Sequence, residues 1–140
     1  MTRSVFAAAF LALMPLGSAV AGPTLYEQLG GEDGVAKIVD GMLDRAVKSP
    51  RIGHTFVEAD MERLREKLEL QFCELADGPC VYDGLSMADS HMGHDITPAH
   101  FNALVEDLQA AMDDADIPFR TQNRLLALLA PMKRDVVTAP

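Results

Sequence analysis

The feature that most constrains this chain is an interruption in a pattern that is otherwise helical. From Leu25 onward, apolar residues recur at helical spacing except between Gly78 and Thr97, where Gly78, Gly84 and Gly93 break the pattern. Before that gap, Leu25 to Leu29 reads as a short helical turn stopped by Gly30-Gly31. Asp33 then precedes a wide apolar stripe of Val35, Ile38, Val39, Met42, Leu43, Ala46 and Val47. Pro50 and Gly53 break this helix and leave a short irregular segment through Phe56. Asp60 is a cap for the next helix, with Met61, Leu64, Leu68, Phe72 and Leu75 on one face and Glu62, Arg65, Glu66 and Glu69 on the other. Beyond the gap, Thr97-Pro98 has the form of a helix start, followed by a stripe of Phe101, Leu104, Val105, Leu108 and Met112. Asp116 and Pro118 punctuate. A last stripe of Leu125, Leu128, Leu129, Met132 and Val136 carries a bend at Pro131.

These segments predict one all-α domain with four substantial helices and only a brief helix around Ser86 to Met92 inside the gap. Structureless connections beyond about 12 to 15 residues are uncommon in compact domains and usually functional. A large ligand filling the space would account for this one.

The first 21 residues read as a secretory signal peptide, not as part of that domain. Arg3 gives a basic start, Ser4 to Leu16 is apolar, and Ala19-Val20-Ala21 supplies a small-residue cleavage signal. The expectation is an exported, periplasmic protein whose mature domain spans residues 22–140, with no membrane association after cleavage. Without Arg3, 11 Lys and Arg face 21 Asp and Glu, so neither nucleic acid nor an anionic membrane surface is an expected partner. In an oxidising compartment, Cys73 and Cys80, separated by six residues across a Gly-Pro turn, can form a disulfide. The alternative is two reduced thiols, one helical and one in a loop. Structural zinc is disfavoured, because it needs four ligands and no second cysteine pair exists.

The histidines are His54, His91, His94 and His100. By spacing alone, His91-Met92-Gly93-His94 is compatible with a partial metal site, a haem ligand or surface loop histidines.

Longer stretches carry more information. Thr24 to Gly31, Phe56 followed by Asp60 to Leu64, Gly78-Pro79 with Tyr82 and Gly84, and Met87 to His91 with Gly93, Ile96 and Thr97 resemble the group 1 truncated haemoglobins. Ala99-His100-Phe101 and Leu129-Ala130-Pro131 extend the similarity, which covers about residues 24 to 136. The resemblance implies a two-over-two helical sandwich around haem b, iron protoporphyrin IX. His91 matches the proximal ligand of the iron, and Phe56 an aromatic residue that packs on the haem. Leu64, Leu68, Phe72, Met87, Ile96, Phe101, Leu104 and Leu129 match positions that line the pocket. Lys67 and His94 match positions that pair with the haem propionates, and Lys67, once deprotonated, is an alternative sixth ligand of the iron.

The chain also departs from the family pattern. Leu43 stands where many members place a tyrosine, and Leu68 where they often place a glutamine, so Leu43, Leu64 and Leu68 make an apolar distal pocket. Three functions follow from the resemblance and its departures: reversible binding of a small diatomic gas (oxygen, nitric oxide or carbon monoxide), as in oxygen transport; haem-dependent detoxification of nitric oxide or peroxide, served by a redox partner; or a haem-free helical interaction module. The second needs a polar distal group, for which the sequence offers Lys67, Gln71 or His54.

Overall fold

The computed structural model describes residues 21–140; the signal peptide expected over residues 1–21 lies outside the described residues except for Ala21. Among the described residues all regular structure is helical. The order is α1 (Leu25–Gln28), α2 (Gly31–Lys48), a 3₁₀ turn (Gly53–Phe56), α3 (Met61–Leu75), α4 (Met87–His91), α5 (Pro98–Asp114), α6 (Phe119–Leu129), a second 3₁₀ turn (Ala130–Met132) and α7 (Lys133–Val136). No helix among them is long and apolar enough to cross a membrane.

Local chemistry explains most boundaries. Thr24 caps α1 through a reciprocal box with Glu27, Asp60 accepts from the Arg63 N–H at the start of α3, and Thr97 accepts from the His100 N–H ahead of Pro98. α2 begins at Gly31, two residues before Asp33. Gly30 and Gly31 both hold positive φ, at 99° and 66°, so the α1–α2 corner needs residues without a Cβ. Pro131 has the expected effect, converting the end of α6 into a 3₁₀ turn before α7.

The long helices form two layers, α2 and α3 over α5 and α6, with α2 packing most extensively on α5 and also against α3. The core contains Val35, Ile38, Val39, Met42 and Leu43 of α2, Phe72 of α3, Leu108, Ala111 and Met112 of α5, and Leu125 of α6. This is the two-over-two sandwich expected from the sequence. Residues 79 to 86 form a non-helical strap along α3, fastened by a Cys73–Cys80 disulfide with Cα atoms 5.7 Å apart. No described cysteine is free.

Candidate functional site

The layers part on one side to leave a cleft of about 370 Å³ between α3, the strap and α4, closed at its inner end by α2 and α5. One face of α3 presents Arg63, Leu64, Lys67, Leu68 and Gln71 at helical spacing. Met42 and Leu43 come from α2, Ile52 from just before the first 3₁₀ turn, Thr55 and Phe56 from the turn itself, and His100, Phe101 and Leu104 from α5. Ala59 and Asp60 ahead of α3, Tyr82, Gly84 and Leu85 of the strap, then Met87, Ser90, His91, His94, Ile96 and Val136, complete the wall.

A five-residue helix such as α4 is too short to persist alone. Its first turn is capped by Ser86, whose hydroxyl accepts from the Asp89 N–H at 3.1 Å and donates to Asp89 Oδ2 at 2.7 Å. α7 packs on it, and the chain beyond α7 clamps the loop that follows. Ile96 N–H donates to Thr138 Oγ1 at 2.9 Å, and Thr138 N–H donates back to the Ile96 carbonyl at 2.8 Å.

These contacts place His91, whose Nδ1 lies 2.8 Å from the Met87 carbonyl and 3.0 Å from Ser90 Oγ. A carbonyl oxygen only accepts, so Nδ1 carries a proton, and in the neutral ring Nε2 is then the nitrogen with the lone pair. Ser90 itself donates to the same carbonyl at 3.2 Å.

The hydroxyl donors of the cleft are spent on carbonyls. Thr55 donates to Ile52 at 2.7 Å and Tyr82 to Leu85 at 2.7 Å. Burial pushes the Tyr82 phenol up from its ordinary pKa, and a Cβ on Gly84 would collide with that ring. Gln71, buried, has weaker partners: its amide nitrogen lies 3.5 Å from Met87 Sδ and 3.9 Å from Met132 Sδ. At the rim, Lys67 Nζ donates to Asp83 Oδ1 at 2.7 Å and Glu66 Oε1 at 3.2 Å. The pairing holds the Lys67 ammonium above its usual pKa and the Asp83 carboxyl below its own.

The cleft brings together most residues singled out in the sequence: Leu43, Phe56, Leu64, Lys67, Leu68, Met87, His91, His94, Ile96, Phe101 and Leu104. It does not gather Phe72 or Leu129. Phe72 is 2 % exposed and packs in the core, and Leu129 packs against the edge of that core. His54 also stays outside the lining, exposed, with its ring edge-on to His100 at 5.2 Å between centroids. Met42, Ile52, Thr55, Arg63, Tyr82, His100 and Val136 line the cleft without having been singled out as site residues. The i−4 spacing of Arg63 from Lys67 was a signal for one of them; no local signal marks Ile52 or Val136.

The chain is similar in sequence and fold to known proteins. The bacterial-like globin family matches residues 24–138. The group 1 truncated hemoglobin GlbN of Mycolicibacterium paratuberculosis is 27% identical over 115 residues, covering 82% of this chain and 85% of its own length. That of Synechocystis is 33% identical over 99 residues, covering 68% and 80% respectively. The crystal structure of truncated hemoglobin from Tetrahymena pyriformis in its Fe(III) form superposes with a TM-score of 0.79 at 25% identity, over 82% of this chain and 98% of that one. By the family match over residues 24–138 and the likeness to these relatives, this chain belongs to the bacterial-like globin family, as a group 1 truncated haemoglobin with an internal cysteine pair.

Proposed function

We propose that the protein holds haem b through His91 Nε2 and reversibly binds a small diatomic gas on the opposite face. The observation that carries this reading is the Nδ1 contact of His91 with the Met87 carbonyl, which engages that nitrogen and leaves Nε2 as the ring atom available to a metal at the cleft. The residues present fit a haem: a mostly apolar slot, an imidazole anchored through Nδ1, Phe56 and Phe101 among the lining side chains, and cationic groups at the rim.

When bound, the haem iron supplies a coordination position that a diatomic gas can occupy. The chain's own residues orient the axial imidazole, exclude water and set the polarity of the pocket. Met87 and Ser90 fix the tautomer and rotation of His91, as partners of a ligating histidine commonly do. Leu43, Leu64 and Leu68 offer a guest no hydrogen bond, so ligands that need a donor are held less tightly than ligands that do not. The redox-enzyme reading requires such a donor. Lys67 is engaged by two carboxylates and His54 lies outside the lining, which leaves Gln71.

Export to the periplasm is part of the same proposal. It is supported by the character of residues 1–21 and by a disulfide that suits an oxidising compartment.

Ultraviolet and visible spectra of protein purified from an exporting host, in ferric, ferrous and carbon-monoxide-bound forms, test the reading. A Soret band with a five-coordinate ferrous spectrum is the expected result. Protein that stays colourless after haem is added would leave the haem-free interaction module as the correct alternative.

A further inference from the structure

Arg63 and Lys67 stand one helical turn apart on the cleft-facing side of α3, and both reach the rim. A haem presents two carboxylates at such a rim and needs a cation there. The two residues differ in what they have left to give. Lys67 Nζ already donates to Asp83 and Glu66, and its side chain is only 21% exposed. Two of its three N–H groups are thus taken, so to meet a haem carboxylate it would have to share one charge among three carboxylates or give one of them up. Arg63 is exposed and takes part in no ion pair found among the described residues. Its charge still reaches the rim: the Asp83 carboxyl, held down chiefly by Lys67, is also lowered by Arg63. A planar guanidinium matches a carboxylate with two parallel donors, which an ammonium cannot do.

Lys67 has a different geometric role. Its bond to Asp83 ties α3 to the strap at a third place, after the Cys73–Cys80 disulfide and the bond from the Tyr82 N–H to Glu74 Oε1 at 3.2 Å. The strap carries Tyr82, Gly84 and Leu85 of the cleft wall.

We infer that Arg63 is the residue that binds a haem carboxylate, while Lys67 is a latch that closes the strap on the cleft. The assignment rests on the haem reading above and moves to Arg63 a role that the family resemblance gives to Lys67 alongside His94.

The test compares haem with its dimethyl ester, in which both carboxylates are capped. Each is loaded into the full chain, and its loss to excess apomyoglobin is followed by the Soret band. The native protein should retain haem longer than the ester by on the order of tenfold. Arg63→Gln should bring that ratio close to one, and Arg63→Lys should restore part of it. Lys67→Gln should shorten retention of both compounds while leaving the ratio unchanged. In haem-free protein, Lys67→Gln and not Arg63→Gln should speed proteolytic cutting within residues 79–86. A ratio that survives Arg63→Gln, or that vanishes in Lys67→Gln, overturns the assignment. A native protein that takes up neither compound would instead overturn the haem reading, and this inference with it.

Discussion

The Nδ1 atom of His91 lies 2.8 Å from the carbonyl oxygen of Met87, one turn earlier in the same short helix. That contact fixes which nitrogen of the ring is protonated before any metal arrives. It also makes the helix around His91 part of the site, since the acceptor is backbone.

His91→Gly should abolish tight haem binding, with partial recovery on adding imidazole, because no other cleft residue pairs a free ring nitrogen with a backbone anchor on α4. The measurement is a haem titration followed by the Soret band. Normal binding in His91→Gly together with loss in His94→Gly or His100→Gly would show that another histidine is the axial ligand.

The apolar surroundings of Leu43, Leu64 and Leu68 should show in the contrast between two gases. Oxygen gains from a distal donor through the partial charge it takes on when it binds, whereas carbon monoxide stays nearly neutral. A hydrogen bond to a charged acceptor contributes about 1.5 to 3 kcal/mol, equivalent to about a tenfold to hundredfold change in affinity. The native protein should therefore release oxygen quickly, and Leu43→Tyr should slow release by up to that factor with little change for carbon monoxide. Leu43 is 1% exposed, so the larger ring also costs about 1 to 3 kcal/mol in packing. Stopped-flow displacement with carbon monoxide reads the rate, and slow release from the native protein would show that Gln71 or another donor reaches the guest.

Removing the disulfide should destabilise the domain by about 2 to 3 kcal/mol, the chain-entropy value for so short a loop. The Cys73→Ser, Cys80→Ser double variant, unfolded in urea beside the native protein, gives this number. Mass spectrometry of unreduced, alkylated native protein should find neither thiol free. Two alkylated cysteines would contradict the linked state.

Asp107 on α5 should set a pH dependence of stability. Its Oδ2 is shielded from solvent and accepts no hydrogen bond, and burial raises its carboxyl pKa against the opposing pull of Arg51 and Arg45. With the folded pKa above the unfolded one, the folded state binds the proton more tightly. This contribution therefore favours folding at low pH and is lost as pH rises from the unfolded pKa through the folded one. Asp107→Asn should raise stability at pH 7 by about 1 kcal/mol and lose that advantage below about pH 4, where the native side chain is itself neutral. Denaturation at the two pH values checks the sign, and a loss of stability at pH 7 would mean that the carboxylate is held by one of the arginines.

The sequence by itself determined the features whose causes lie within a turn or two of chain. Thr24, Asp60 and Thr97 cap helices because a side-chain oxygen reaches a backbone N–H three residues on. The stripes on α2, α3 and α5 follow from 3.6-residue periodicity, and His91 stands out in a gap that no apolar stripe fills. Tertiary structure alone decided the rest, because the cleft is assembled from segments far apart in the chain. Phe72, in the α3 stripe with Leu64 and Leu68, turns into the core because α3 packs against α2 and α6 there. Ile52 and Val136 both line the cleft although they lie far apart in the chain. The choice of Asp83 by Lys67, leaving Arg63 exposed at the rim, depends on a strap whose path is set by a covalent bond between Cys73 and Cys80. Periodicity gives the face of a helix a residue occupies, but an ion pair depends on the distance to its partner, and that distance exists only once the chain is folded.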